Sequence, residues 1–239
     1  MQEIRQEFRQ RSFEVAYYLT TLRFLEDSGA ELVARNGQAR RAVDTTTRHV
    51  LKGSVFLHLY NLVESTVTAC LARVADEIRD GSVVYERLAE EWRMHWLDHE
   101  GRAGELLSQE KRIQLLLEIC EHVVGRRAID FRPSLPGGNL DDRQIEKVAR
   151  QFGVPLAVRR SVEEGVKRHV VDDEGTLGLI CRRRNELAHG ESSFGDCGRS
   201  VSVRDLRTWA AAVVRYLREL IRCFAEYLEA RGFERSMPP

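Results

Sequence analysis

The run Phe56-Leu57-His58-Leu59-Tyr60-Asn61-Leu62-Val63-Glu64-Ser65-Thr66-Val67 decides the architecture. Within the surrounding segment, from about Arg40 to Arg79, the apolar positions Val43, Val50, Phe56, Leu59, Val63, Val67, Leu71, Val74 and Ile78 share one broad face at helical spacing. This reads as the longest helix of the chain, with Gly81 as its stop. A helix with so wide an apolar face has to be covered by other helices, and the rest of the sequence supplies them.

Upstream, Ile4, Phe8, Val15, Tyr18, Leu19, Leu22, Leu25, Leu32 and Val33 predict a helix over about residues 4–35, with a break near Ser28-Gly29. Downstream, Val83 to His99 continues helically, 101–104 is a loop, and Leu106 to Val124 returns to helix. Arg132-Pro133-Ser134-Leu135-Pro136-Gly137-Gly138-Asn139 is the clear breaker cluster. Asp141 then caps a short helix ended by Gly153 and Pro155. Asp172 or Asp173 opens a helix through Leu177, Ile180, Cys181 and Ala188 that Gly190 closes, and a polar loop spans 191–200. Ser202-Val203-Arg204-Asp205 has the form of a capping box, and it opens the most regular amphipathic helix, through Leu206, Trp209, Val213, Leu217, Leu220, Phe224 and Leu228. No repeat, low-complexity tract or convincing strand is found. The expectation is an all-α bundle, one domain over 1–239, with a core of about 1–80 and 171–235 and an insertion or lid at about 83–170.

Composition narrows the function classes. Lys plus Arg and Asp plus Glu both number 37, so no global positive field draws nucleic acid and any polyanion needs a local patch. Five scattered cysteines without a Cys-x-x-Cys pair predict free thiols in a reducing compartment; Cys70, Cys120, Cys181 and Cys223 are expected buried, and Cys197 exposed. No stretch approaches the roughly 20 apolar residues of a membrane span, and the charged start lacks a signal-peptide centre, which places the chain in the cytoplasm with no membrane partner. His95 and His99 lie four apart on a helix but lack a third ligand, so no metal and no cofactor is expected. The helix from Asp141 to Phe152 is a weak match to half of a helix-turn-helix, without a basic second helix.

The chemistry resides in Arg184-Asn185-Glu186-Leu187-Ala188-His189-Gly190. On an ideal helix residues five apart are rotated by roughly 140°, so Arg184 and His189 converge only if His189 sits where the helix ends, and Gly190 supplies that end. A histidine can take a proton from a ribose 2′-hydroxyl or give one to a leaving 5′-oxygen, and a guanidinium can hold the phosphate and its transition-state charge. One histidine does not easily perform both transfers, so a second copy from a twofold partner is expected to supply the other. Arg182 and Arg183 extend the positive patch toward RNA phosphates or, in the plainer reading, lie on a solvated helix face. Asn185, Asn61 and Glu64 are placed in supporting roles, orienting Arg184 or His189. For Arg184 the structural alternative is an ion pair with Glu186 or Glu64, and for His189 a helix-terminal hydrogen bond.

These residues resemble the HEPN superfamily of helical ribonucleases and nucleotide-binding proteins, whose motif is an arginine, a polar residue, and a histidine four to six positions after the arginine. The segment Phe56 to Thr66, the loop Leu135-Pro136-Gly137-Gly138-Asn139-Leu140 and the ending Leu187-Ala188-His189-Gly190 are similar to the MAE_28990/MAE_18760-like HEPN branch over nearly the whole chain. The resemblance implies a bundle with long antiparallel helices, a homodimer whose motif helices face each other, and a metal-independent endoribonuclease. It also implies a place in toxin and antitoxin pairs or antiviral defence, with an antitoxin or a neighbouring defence protein as partner. HEPN toxins controlled by nucleotidylation carry a tyrosine two residues after the histidine, where this chain has Glu191. Two other classes stay open: a noncatalytic HEPN module that binds nucleotide, RNA or a protein partner, and a purely structural helical scaffold.

Overall fold

The computed structural model describes residues 1–26, 29–102, 108–133, 139–168, 170 and 174–235. The fold is an all-α bundle. Its elements are α1 (Gln2–Leu25), β1 (Glu31–Val33), β2 (Arg40–Ala42), α2 (Thr45–Asp80), α3 (Glu90–Arg102), α4 (Gln109–Val124), α5 (Asp142–Gln151), α6 (Arg160–Lys167), α7 (Thr176–Ala188), α8 (Phe194–Arg199) and α9 (Val203–Glu229).

The central helix is α2. Asp44 caps its start, accepting the Thr47 amide at 2.7 Å, and Gly81 closes it, although the positive φ of that turn falls on Ser82. Phe56, Leu59, Val63, Val67, Leu71 and Val74 are buried along it and meet Ile4, Phe8, Val15, Leu19 and Leu22 of α1 and Leu217, Leu220 and Phe224 of α9 in one core. The α9 start is the expected capping box, with reciprocal bonds between Ser202 and Asp205. The stretch read as an insertion or lid, 83–170, contributes Trp92, Trp96, Ile145, Val148, Phe152 and Val166 to that same core. Trp92 donates to the Tyr227 hydroxyl at 2.9 Å, and that hydroxyl donates to the Phe152 carbonyl at 3.1 Å, which ties α3 and the end of α5 to α9. Within the stretch, α4 buries no residue fully.

Several expectations are corrected. The first helix stops at Leu25, and residues 31–42 form an antiparallel hairpin pairing Glu31 with Ala42 and Val33 with Arg40. Asn36-Gly37 is the turn signal, with Gly37 at φ +70°, and the hairpin's apolar Leu32 and Val33 are exposed, so they carry no helical face. Val83 to His99 is not continuous helix: a 3-10 turn, Tyr85–Arg87, precedes α3, which runs through Gly101 to Arg102. The loop over 191–200 contains the short helix α8, and α7 begins at Thr176, with Gly175 before it. Asp172, Asp173, Ser28 and the segment from Ser134 to Gly138 lie outside the described residues. Cys197 is buried and Cys120 exposed, the reverse of the reading, because α8 packs onto α2 while α4 stays at the surface. One helix, α2, is after all long and apolar enough to cross a membrane by length and composition, and 56% of its most apolar window is buried inside the bundle.

Candidate functional site

Where α7 ends, the backbone is organised by Gly190. His189 occupies the capping position at φ −90°, its amide donating to the Asn185 carbonyl at 2.9 Å. Gly190 takes φ +73°, and the Glu191 amide reaches back to the Glu186 carbonyl at 2.9 Å, the six-to-one bond of a Schellman ending. An L side chain at 190 would be strained in that conformation, so glycine is what allows the chain to turn immediately after the histidine. The imidazole of His189 is exposed.

Arg184 lies one and a half turns earlier and faces α2. Its guanidinium carbon stands 3.9 Å from the centroid of the Tyr60 ring, Nη2 is 3.8 Å from Glu64 Oε1, and Nη1 donates to Asn185 Oδ1 at 2.9 Å. Tyr60 and Glu64 are four apart on α2, so one helix face supplies both the ring and the carboxylate. Tyr60 is 1% exposed, and burial, with Glu64's charge adding and Arg184's opposing, pushes its phenol above the ordinary range, so the ring under Arg184 stays neutral. The Asn185 amide nitrogen in turn donates to Asn139 Oδ1 at 2.6 Å, which also receives the Cys181 thiol at 3.7 Å. Burial, aided by Asp141 and opposed by Arg184, holds that thiol protonated, with a pKa pushed up to about 11.

Of the residues predicted for the site, Arg184, Asn185 and Glu64 form one connected cluster. Asn61 is exposed on α2 one turn before Ser65 and makes no hydrogen bond among the described side chains. Arg182 pairs with Glu174 at 2.8 Å and Glu186 at 3.0 Å, and Arg183 pairs with Glu186 at 2.9 Å. Burial opposes the charge on Glu186, but hydrogen bonds from Arg183 and Arg182 outweigh it and hold the carboxyl below its usual range. The carboxylate foreseen for Arg184 is therefore Glu64, with Glu186 spent on the two preceding arginines.

Arg184 and His189 are not hydrogen-bonded to each other: one guanidinium is stacked against α2 and the imidazole is at the open helix end. Tyr60 and Asn139 complete the cluster and were not singled out as site residues. Tyr60 was legible as the residue one turn before Glu64; Asn139 lies 46 residues from Asn185 in the sequence, so no local pattern announces that contact. His95 packs its ring on Phe152 at 3.8 Å and meets the Gln151 carbonyl at 3.2 Å, a structural setting. Among the described residues no group of three or more His, Cys, Asp and Glu side chains is placed to hold a metal ion.

Comparison with protein families gives a match over residues 1–233 to a model described as MAE_28990-like HEPN. Neither the curated proteins nor the solved structures provide a match.

Proposed function

We propose, from the premise that the chain belongs to the MAE_28990-like HEPN family, that it is a metal-independent endoribonuclease acting through Arg184 and His189 of two subunits. The observation that carries this reading is the division of labour at the end of α7. A guanidinium is fixed on three sides by Tyr60, Glu64 and Asn185, and an exposed imidazole is held at the helix terminus by the Gly190 turn.

In this reading one histidine removes the proton of a ribose 2′-hydroxyl, whose oxygen attacks the adjacent phosphorus. The other protonates the departing 5′-oxygen, leaving a 2′,3′-cyclic phosphate and a 5′-hydroxyl. Arg184 offers its planar fork to the non-bridging oxygens and gains most where charge accumulates in the pentacoordinate state. Glu64 and Asn185 orient that fork, and Asn61 lies exposed on the same helix as Glu64. Arg182 and Arg183 contact RNA only by exchanging Glu174 and Glu186 for phosphate, which makes theirs a smaller, salt-sensitive contribution. A toxin or defence role in the cytoplasm, with an antitoxin or a neighbouring defence protein as regulator, accompanies this proposal.

The test is incubation of purified protein with mixed RNA in EDTA. Cleavage that ends in a cyclic phosphate, spares 2′-deoxy substrate and is abolished by His189→Ala supports the reading. Equal cutting of RNA and 2′-deoxy substrate sinks the mechanism. Binding of RNA or nucleotide without cleavage assigns the chain to the noncatalytic HEPN class.

A further inference from the structure

Helices α1 and α9 lie side by side in opposite directions, and the groove between them opens into two surface depressions. One, of about 670 Å³, is lined by Arg23 near the end of α1 and by Arg204, Arg207 and Arg215 of α9. The other, of about 400 Å³, is lined by Arg5 and Arg9 near the start of α1 and by Arg218 and Arg222. On α9 the arginines at 204, 207, 215, 218 and 222 follow three- and four-residue steps with Ala211 between, so they form a single ridge. From Arg204 to Arg222 that ridge spans about 27 Å at the helical rise per residue.

Most of the charge there is uncompensated. Many of the chain's arginines outside the groove are matched with carboxylates, as Arg11 is with Glu7, Arg73 with Glu77 and Arg182 with Glu174 and Glu186. In the groove, Arg222 is held by Glu219 and Glu226, and Glu26 lines one end. The other seven, Arg5, Arg9 and Arg23 on α1 and Arg204, Arg207, Arg215 and Arg218 on α9, are exposed and have no ion pair among the described residues. Two of these, Arg204 and Arg207, stand in the opening turns of α9, where the helix dipole disfavours a cation and favours an anion. In a chain with equal numbers of positive and negative side chains, seven exposed arginines without a carboxylate partner among the described residues thus line one interhelical groove from its two walls. The cations are all guanidiniums, the group whose fork matches phosphate oxygens in pairs.

We propose that the α1–α9 groove is a docking track for the phosphate backbone of single-stranded RNA, apart from the reacting groups on α7; the choice of RNA as the polyanion rests on the ribonuclease reading. The track binds without regard to sequence and presents a long substrate to the motif, so it governs affinity and not the chemical step.

The experiment uses the full chain carrying His189→Ala, so that turnover does not consume the probe. Binding of a fluorescein-labelled, unstructured 20-nucleotide RNA is followed by anisotropy in EDTA across a range of KCl concentrations. The triple variant Arg207→Gln, Arg215→Gln, Arg218→Gln is expected to bind at least about tenfold more weakly, with the slope of log K against log salt reduced by about 2, three phosphate contacts at roughly 0.7 each. A control triple at exposed arginines elsewhere, Arg40→Gln, Arg126→Gln, Arg160→Gln, is expected to match the parent. Should the groove triple melt early, Arg207→Gln and Arg215→Gln are measured singly, each expected to lower the slope by about 0.7.

Unchanged affinity and slope in the groove variants, or an equal loss in the control, overturns the track. So does binding to vesicles containing phosphatidylserine, or to an acidic peptide, in the absence of RNA binding. The two proposals fail separately. If the native protein cleaves nothing while the groove binds RNA, the ribonuclease reading falls and the track stands. If the native protein cleaves while the groove triple binds RNA like the parent, the track falls.

Discussion

Arg184 shows how one residue's chemistry depends on its neighbours' placement. The Tyr60 ring beneath it and Glu64 beside it hold the planar guanidinium in one orientation, so Arg184→Lys retains charge but loses both the fork and the stacking surface. Loss of one such transition-state donor costs about 3 kcal/mol, a hundredfold or more in rate. His189→Ala is expected to be at least as damaging, because proton transfer is removed outright. Tyr60→Phe keeps the aromatic face and should cleave near the parent rate, whereas Tyr60→Leu should lower the rate while binding RNA normally. Cleavage rate, melting temperature and RNA affinity measured together decide the matter: activity that falls only in step with melting would make the pair structural. The motif itself was legible from sequence, because Arg184, Asn185, His189 and Gly190 are consecutive or nearly so and Gly190 predicts the turn observed. The partners were harder to read. Glu64 was one of two candidate carboxylates: helical spacing gives Glu186 to Arg182 and Arg183, four and three residues before it, but no local pattern points from Arg184 to Glu64 on another helix.

Among the elements, α8 illustrates a contact the periodicity of the sequence hides. It has only six residues, and it approaches α2 so closely that a methyl group at Gly198 would overlap the His49 carbonyl and one at Gly53 would overlap the Phe194 carbonyl. Gly198→Ala therefore has to push two backbones apart, at a cost of about 1–3 kcal/mol, or several degrees in melting temperature for a chain of this size. An unchanged melting curve would contradict that close approach. Read as a polar loop, this stretch gave no warning, since its burial comes from Gly198 and Cys197 and not from large apolar side chains. The long helices were legible because their apolar faces repeat over many turns; the hairpin was not, because its two strands are only three residues each and wholly exposed. A second test lies on α9, where Glu219 is 4% exposed and receives Arg159 at 2.6 Å and Arg222 at 3.0 Å. Burial works against its charge, but these hydrogen bonds prevail and set its folded pKa below the ordinary carboxylate value. Its contribution is present in full above the unfolded pKa of roughly 4.3 and is lost as pH falls through the lower folded value. Glu219→Gln should cost on the order of 1–2 kcal/mol at pH 7, discounted for the exposed arginines, and the gap to the parent should narrow below about pH 4. A gap that stays constant down to pH 3 would show that the charge on Glu219 is not what matters.

At the scale of the whole molecule, the arrangement of α7 bears on the number of chains that make a site. Residues five apart on a helix are rotated by roughly 140°, and here Arg184 follows that geometry toward α2 while His189 stands exposed beyond it. In the proposed mechanism a single chain thus offers one proton-transfer group, and its own arginine is held against α2 without a hydrogen bond to it. A twofold partner would supply what one chain lacks, bringing a second imidazole for the other proton transfer and setting each arginine near a histidine of the other chain. The expected state is a homodimer at micromolar concentration, with a mass by light scattering twice the 27.5 kDa of the chain. Specific activity on RNA should then fall on dilution, as the dimer dissociates, while the melting behaviour of each bundle's core changes much less. The Arg184→Lys and His189→Ala proteins should dimerise normally, since neither side chain is proposed to hold the subunits together. A monomer that cleaves RNA with a specific activity independent of concentration would eliminate the composite site, and the two proton transfers would then have to be assigned within one chain.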